Sequence, residues 1–186
     1  MRQTKQYMME ISNNELKERA AKIKWFFCDI DGTLTDGGVY YSPNGELLKR
    51  FSLRDGSGFF LLKQCGIKTG FITTENSPIV EQRANKLKID KYIYGTHKKL
   101  EAIQQFVRDE GLSIDNIAYI GDELNDVKLL SACGLGIAVG DADYKAKSAA
   151  RLICDNKGGH GAFREAVGIL LELKGIDIDK IIEQSL

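Results

Sequence analysis

The chain has 186 residues, which is long enough for one domain with a full hydrophobic core. Its 26 basic and 26 acidic residues leave no net charge that would favour nucleic acid or an anionic membrane, so a small molecule or another protein is the expected partner. Four widely spaced cysteines without zinc-ligand spacing, no long apolar run and no apolar signal core in residues 1–10 predict a cytoplasmic protein with free thiols.

The first apolar run of the chain ends in two acids. Residues 24–28 are predicted to form a buried strand, and Asp29 and Asp31 follow it directly. In an open α/β sheet the ligand crevice lies beyond the carboxyl ends of the strands, so we expect both acids to line a site. Carboxylates there would suit Mg²⁺, although an Asp-Gly pair by itself is equally typical of a turn before a helix.

A β-hairpin is predicted between this strand and the helix that follows it. Residues 37–41 and 47–51 are β-prone, and the pair Asn44-Gly45 between them favours a tight turn. The hairpin insertion, about residues 37–53, is expected to project over the crevice.

The rest of the chain alternates between helices and strands. Residues 13–22 are predicted to be helical, with Ser12 or Asn13 as the cap. Further helices are predicted over 54–63, 77–87, 98–110, 127–132, 144–150 and 162–173, and strands over 67–74, 91–94, 117–121, 135–139 and 152–154. A glycine-rich segment begins at residue 157, and 176–186 is predicted to be a short tail. The alternation predicts a single α/β domain over 1–186 with a doubly wound, mainly parallel sheet.

Polar side chains follow three of these strands. Asp29 and Asp31 follow the first strand, Thr73 ends the second, and Asp122 follows a later one. A lysine, Lys98 or Lys99, begins the helix that precedes this later strand. Carboxylates can hold Mg²⁺, while a hydroxyl and an ammonium can hold phosphate oxygens. The set is therefore suited to phosphoryl transfer.

The two acids after the first strand favour covalent catalysis. One carboxylate can attack phosphorus to form an aspartyl phosphate, while a second protonates the leaving alcohol and later activates water. Asp29 suits the nucleophile and Asp31 the acid/base. Residues two apart in an extended segment point the same way, and a turn at Gly32 would let the second acid reach the leaving group.

The ordered motifs resemble those of the haloacid dehalogenase superfamily of phosphatases. They are Asp29-Ile30-Asp31-Gly32-Thr33, Thr73, Lys99 and Gly121-Asp122-Glu123-Leu124-Asn125-Asp126. The resemblance implies that Asp29 is the nucleophile, that Asp31 is the general acid/base, and that Thr73 and Lys99 bind phosphate. It favours Lys99 over Lys98 because the family places its lysine directly before a leucine.

The same resemblance implies a Mg²⁺ site. Asp122 would bind the metal alongside Asp29 and the backbone carbonyl of Asp31. Asn125 or Asp126 would support the metal shell or Lys99.

A narrower resemblance is to the 3-deoxy-D-manno-octulosonate 8-phosphate phosphatases. It rests on Thr35-Asp36-Gly37-Gly38, Arg54-Asp55-Gly56 and the segment 158–165. These are small members of the superfamily without a large cap domain. The resemblance also implies a phosphorylated acidic sugar as substrate. It also implies a homotetramer in which the hairpins form a central barrel and a neighbouring subunit, together with the glycine-rich C-terminal segment, helps to close each active site.

Other positions bear on the identity of the sugar. Where the octulosonate enzymes usually have Gly-Arg, this chain has Thr74-Glu75, and Glu75 with Lys86 is more similar to phosphatases of nine-carbon 2-keto-3-deoxy acids. Arg54 fits the octulosonate pattern. Arg54 and Arg164 can bind a substrate carboxylate, and a structural salt bridge is an equally good interpretation.

The two histidines and two other protein classes give alternatives to the phosphatase interpretation. His97 and His160 are expected to be solvated loop residues rather than acid/base groups. A signalling receiver domain also groups acids, a hydroxyl and a lysine, but its phosphoacceptor is not the first acid of an Asp-x-Asp pair. A catalytically silent relative that serves in assembly is disfavoured because both Asp29 and Asp31 are retained.

Overall fold

A computed structural model describes residues 14–185, and the predicted caps Ser12 and Asn13 lie outside that range. Helix α1 covers residues 14–22. The strands are β1 (Trp25–Cys28), β2 (Thr35–Ser42), β3 (Gly45–Phe51), β4 (Lys68–Ile72), β5 (Lys91–Ile93), β6 (Ile117–Gly121), β7 (Leu135–Ala138) and β8 (Leu152–Ile153). The later helices are α2 (Leu53–Gln64), α3 (Pro78–Leu87), α4 (Lys99–Asp109), α5 (Val127–Ala132), α6 (Tyr144–Ala149), α7 (Ala162–Leu173) and α8 (Ile178–Ser185).

Six strands form one parallel sheet in the order β5-β4-β1-β6-β7-β8. Within residues 14–185, every strand and helix predicted from the sequence is present, with bounds that differ by one or two residues. The predicted α/β fold is therefore confirmed. None of the helices in this range is sufficiently long and apolar to span a membrane.

Strand β1 lies at the centre of the sheet because its side chains are apolar on both faces. All four of its residues are buried, and Cys28 is level with Phe71 of β4 and Ile120 of β6. The residues that follow these three strands therefore emerge side by side at the carboxyl edge. This register brings together the acids, the hydroxyl and the Gly121-Asp122 segment of the sequence motifs.

Aromatic rings fill the space between the sheet and its helices. The rings of Phe59 in α2 and Phe163 in α7 stack with centroids 4.1 Å apart, while Trp25 meets Phe106 of α4 edge to face at 4.8 Å. Such pairs contribute about 1 kcal/mol each beyond the area that they bury. They fix α2, α4 and α7 against the strands whose ends form the site.

Strands β2 and β3 form a separate antiparallel hairpin. Its two-residue turn consists of Pro43 and Asn44, and Gly45 already pairs with Ser42 in the ladder. The predicted hairpin is confirmed, but the Asn44-Gly45 pair is shifted by one position from the expected centre of the turn. Gly45 has φ +113°, so the glycine still provides the backbone conformation that reverses the chain.

The prediction of a short tail over 176–186 is wrong, because residues 178–185 form α8. Asp177 caps this helix by accepting a hydrogen bond from the backbone N–H of Asp179 at 3.0 Å. Ile178 and Ile181 are partly buried against the core. Their spacing and the aspartate before them were the local signals for an amphipathic helix.

Candidate active site

Asp29 and Lys99 form the centre of the site. Asp29 follows β1 and is 5% exposed, while Lys99 begins α4 and is buried. The Lys99 Nζ lies 2.8 Å from Asp29 Oδ1. Lys98, the other candidate from the sequence, is exposed at the N-cap of α4.

Asp126 is a second, fully buried partner of Lys99. Its Oδ1 accepts hydrogen bonds from Lys99 Nζ at 2.6 Å and from the Tyr119 hydroxyl at 2.5 Å. Its Oδ2 accepts from the backbone N–H groups of Asp122 at 2.9 Å and Glu123 at 3.0 Å. Because both oxygens are occupied by donors of the protein, Asp126 is suited to hold Lys99 and the Asp122 loop rather than to bind a metal directly.

Asp122 is held against the loop that follows β1. The Thr33 hydroxyl donates to its Oδ1 at 2.7 Å. Gly32 has φ +84°, and a Cβ at this position would lie 2.1 Å from Asp122 Oδ2. Only glycine therefore permits this backbone and this approach of the carboxylate.

The residues of this edge fit a divalent cation. Oxygens of Asp29, Asp122 and Asp126 lie within 4.8 Å of one another. Among residues 14–185, Asn125, which precedes Asp126 in the same short segment, has a buried Oδ1 without a hydrogen-bond partner, which a metal-bound water would satisfy. Hard oxygen donors of this kind are those that Mg²⁺ prefers.

Burial shifts the proton affinity of these groups. Desolvation raises the pKa of Asp29 to about 8, with Lys99 opposing the shift and Asp126 and Asp122 adding to it. Desolvation also raises the pKa of Asp122 to about 7, while the bond from Thr33 opposes the shift. The pKa of Lys99 is raised because the attraction of Asp29 and Asp126 outweighs the desolvation of its ammonium. Ionisation of these acids is therefore costly, and a bound cation would favour their charged forms.

Thr73 lies at the same edge, directly after β4. It is buried, and its Oγ1 accepts a hydrogen bond from the Glu75 backbone N–H at 3.1 Å. This bond leaves the hydroxyl proton free to be donated. Thr73 therefore sits next to the β1 loop, as the parallel register requires.

Asp31 faces the hairpin. Its Oδ1 lies 2.5 Å from the Nζ of Lys49 on β3. Glu75 lines a cavity of about 370 Å³ together with both residues. This confirms that the hairpin projects over the crevice.

The other substrate-binding candidates lie at different places. Arg54, in the first turn of α2, is exposed and approaches Gly161 of the glycine-rich segment. Arg164 lies half-buried along α7, with its guanidinium near Gly168. Lys86 is exposed in the last turn of α3 and is not among the residues that line the cavity. Within a single chain, therefore, only Glu75 of these four residues reaches the cavity beside Asp31.

The glycine-rich segment packs on the active-site loop of its own chain. The Gly159 N–H donates to the Thr33 carbonyl at 3.0 Å, and a Cβ at Gly158 would lie 1.7 Å from the Gly32 carbonyl oxygen. His160 accompanies this segment, with Nδ1 2.8 Å from the Gly158 carbonyl oxygen. His97 is exposed. The segment thus supports the loop that carries Asp31 and Gly32.

Two residues of the site were not identified from the sequence. Tyr119 occupies the middle of β6 and was assigned only to a predicted strand, as Lys49 was assigned only to a strand of the hairpin. A tyrosine within an otherwise apolar strand was the available signal, because a buried hydroxyl requires a partner. Lys49 carried no comparable signal, since lysine is common on exposed hairpins.

Comparison with known proteins agrees with this geometry. Residues 67–165, more than half of the chain, match the family described as haloacid dehalogenase-like hydrolase. The chain therefore belongs to the haloacid dehalogenase-like hydrolase family.

Within that family, the similarity extends over most of the chain to one named group of enzymes. The 3-deoxy-D-manno-octulosonate 8-phosphate phosphatase KdsC of Haemophilus influenzae is 34% identical over 160 residues, which cover 86% of this chain and 89% of the relative. The corresponding protein of Yersinia pestis is 35% identical over 158 residues, which cover 85% of this chain and 84% of that relative.

A solved structure shows the same similarity. The phosphatase of this name from Moraxella catarrhalis, in complex with magnesium ion, phosphate ion and KDO, superimposes with a TM-score of 0.87 at 35% identity. The match covers 93% of this chain and 99% of that one.

Proposed function

We propose that this chain is a Mg²⁺-dependent phosphatase that hydrolyses 3-deoxy-D-manno-octulosonate 8-phosphate to the free sugar acid and phosphate. The observation that carries the proposal is the meeting of Asp29, Lys99 and Asp122 at one edge of the sheet. The Moraxella neighbour, whose complex contains magnesium, phosphate and KDO, supports the choice of metal and sugar.

The proposed metal site uses the Asp29 and Asp122 carboxylates and the backbone carbonyl of Asp31. Asn125 and Asp126 would not bind the metal directly but would support the residues that do, and Asp126 holds the backbone of Asp122. When bound, Mg²⁺ supplies positive charge that offsets the charge of the phosphate and orients its oxygens. Lys99 and Thr73 would hold the remaining phosphate oxygens.

In the first proposed step, an Asp29 oxygen attacks phosphorus and the bond from phosphorus to the sugar oxygen breaks. Asp31, as a carboxylic acid, donates its proton to the departing sugar oxygen, so that an aspartyl phosphate and a neutral alcohol form. In the second step, the Asp31 carboxylate takes a proton from water while the water oxygen attacks phosphorus. The bond from Asp29 to phosphorus breaks, which releases phosphate and restores both acids.

Recognition of the sugar is assigned to the cavity beside Asp31. Glu75 lines it directly. Arg54 and Arg164 flank the glycine-rich segment and are proposed to receive the substrate carboxylate. Lys86 would reach a substrate only in a neighbouring subunit, because it lies at the far end of α3 in its own chain.

We propose a homotetramer on the basis of the hairpin surface. Tyr40, Tyr41, Leu47 and Leu48 are exposed on β2 and β3, and Tyr41 and Leu47 reach 74% and 59% exposure. Apolar side chains clustered in this way are typical of an interface between subunits. Free cysteines at positions 28, 65, 133 and 154 support a cytoplasmic location, since thiols persist in reducing compartments.

The test is Mg²⁺-dependent phosphate release from octulosonate 8-phosphate beside the 9-phosphates of neuraminic-type acids, compared as kcat/KM. We expect a preference for the octulosonate, which would connect the chain to lipopolysaccharide sugar synthesis. A preference for a nine-carbon ester would indicate that Glu75 and Lys86 determine the specificity. Activity on none of these esters would overturn the proposal in favour of a silent assembly module.

A further inference from the structure

Lys49 is a buried cation on an exposed hairpin. Its side chain is 3% exposed, although neighbouring hairpin residues such as Leu47 are largely in solvent. Its Nζ lies 2.5 Å from Asp31 Oδ1 and 3.0 Å from Glu46 Oε1. The lysine thus links the hairpin to the loop after β1.

The other end of this link is anchored in α3. The second oxygen of Glu46 accepts a hydrogen bond from the Ser77 hydroxyl at 2.6 Å. Ser77 is the buried N-cap residue of α3, yet its side chain makes no capping bond to the helix backbone. Its hydroxyl is instead committed to Glu46, so the chain Ser77, Glu46, Lys49, Asp31 connects three separate elements.

This arrangement does not suit Lys49 for binding a substrate carboxylate. Its ammonium already contacts two carboxylates, and a third anion would have to displace one of them. The contact with Asp31 uses Oδ1, and within residues 14–185 no group hydrogen-bonds its Oδ2. The Oδ2 is therefore free to contact a leaving group.

We propose that Lys49, braced by Glu46 and Ser77, is a positioning residue that holds Asp31 in line with the leaving-group oxygen. The inference rests on the proposed phosphatase activity and adds a role that the hairpin plays in it. Lys49 keeps its own protons throughout, and the proton on Asp31 Oδ2 moves to the sugar oxygen as the bond to phosphorus breaks. Without the ammonium, Asp31 Oδ1 would lose its hydrogen-bond donor and the Asp31 side chain would lose its fixed direction.

The experiment compares two esters that differ in their need for an acid. Octulosonate 8-phosphate releases an alkoxide-like oxygen that must be protonated, whereas p-nitrophenyl phosphate releases a stable phenolate. Both are measured as kcat/KM, which reports the first chemical step, in wild type, Lys49→Met and Lys49→Arg. We expect Lys49→Met to lower kcat/KM about 10- to 100-fold for the sugar ester and less than about threefold for the aryl ester.

Two further variants complete the design. Lys49→Arg retains the cation and is expected to restore most of the lost activity toward the sugar ester. Lys63→Met removes an exposed lysine at the end of α2, away from the site, and is the matched control for loss of one positive charge. It should leave both rates unchanged.

An equal loss for the two esters, or a rise in KM alone, would overturn the inference in favour of a structural or binding role. If Lys49→Met does not fold, Glu46→Gln replaces it, with an expected selective loss of about two- to fivefold for the sugar ester. Equal effects of Glu46→Gln on both esters would again reject the proposal. Failure of the proposed function would be visible separately, because wild type would then fail to hydrolyse octulosonate 8-phosphate, whatever its activity on the aryl ester.

Discussion

The strand-end site and the hairpin differ in how their charged groups are held. At the strand ends, Asp29, Lys99 and Asp126 are buried, and Asp126 has donors on both oxygens. On the hairpin most side chains are exposed, and Lys49 is a buried exception. The comparison indicates that the strand ends and the segments after them hold Asp29, Lys99 and Asp126, whereas the hairpin contributes one buried contact, from Lys49 to Asp31.

The largest effect should come from Asp29, the proposed nucleophile. Asp29→Asn keeps the shape of the side chain but removes the attacking carboxylate, so phosphate release is expected to fall by at least about a thousandfold. The measurement is steady-state phosphate release with Mg²⁺, with circular dichroism as the control for folding. Hydrolysis at the wild-type rate would show that the aspartyl-phosphate mechanism is wrong.

Loss of Lys99 should affect activity and stability together. Lys99→Met leaves Asp29 and Asp126 buried without their cation, which is expected to cost about 2–4 kcal/mol in the free energy of unfolding. Activity should fall about a hundredfold because a phosphate-binding charge is lost. Urea unfolding and kinetics check the two effects, and Lys98→Met is the adjacent, exposed control. Similar results for the two variants would contradict the assignment of phosphate binding to Lys99 rather than to Lys98.

The pH dependence should reveal the buried acids. Because the folded-state pKa values of Asp29 and Asp122 are raised to about 8 and about 7, the native protein binds more protons than the unfolded chain between about pH 4 and 8. Without metal, the free energy of unfolding should therefore fall as pH rises through this window. Lys99, whose pKa is raised from an already high value, contributes no change there.

Mg²⁺ should oppose this decline. Since binding requires the ionised carboxylates, the increase in melting temperature on adding Mg²⁺ should be several degrees larger at pH 8 than at pH 6. Differential scanning fluorimetry of wild type and Asp29→Asn tests it. An equal Mg²⁺ effect at both pH values would contradict a metal site made of these acids.

Tyr119→Phe should have a smaller effect. It removes one of the four donors to Asp126 and leaves the ring packing intact, so the expected cost is about 1 kcal/mol in the free energy of unfolding. Activity is expected to fall severalfold, because Lys99 shares this carboxylate. Chemical denaturation and kinetics provide the two numbers. No change in either would mean that Lys99 is positioned without the hydroxyl.

The smallest effect on the stability of the chain should come from the exposed hairpin. Leu47→Ser removes a side chain that is largely in solvent, and the expected change in the free energy of unfolding of the monomer is within about 0.5 kcal/mol. If the proposed tetramer forms through this surface, light scattering should nevertheless show a shift toward smaller species. An unchanged mass would show that Leu47 on the hairpin is not needed for assembly.

Much of the strand-end site could be predicted because its parts follow strands. Asp29, Thr73 and Asp122 each come directly after an apolar run, and parallel pairing brings such positions to one edge. Their roles as nucleophile and as phosphate or metal ligands stay predictions. Each strand is recognisable from its local apolar pattern, so the placement of these residues at its carboxyl end was accessible.

The hairpin contact could not be predicted in the same way. The burial of Lys49 depends on Glu46, Asp31 and Ser77, and Ser77 belongs to a helix that is distant in sequence. The residue pattern within a strand does not reveal which side chains from other parts of the chain will contact it. Helix α8 was missed for a different reason: it is only one short amphipathic stretch of eight residues, whose stability depends on packing against the core, and its local signals at Asp177, Ile178 and Ile181 were overlooked.

The glycine-rich segment has a consequence for how the protein is made. Gly161 bonds to Asp55 across 106 residues of sequence, and Gly159 bonds to the loop after β1. A nascent chain that has emerged only as far as β7 already contains every proposed catalytic and metal-binding group, yet it lacks the segment that supports their loop. Such long-range closure is slow compared with local structure formation. We therefore expect the active site to be completed as a late event in biosynthesis, after most of the sheet has formed.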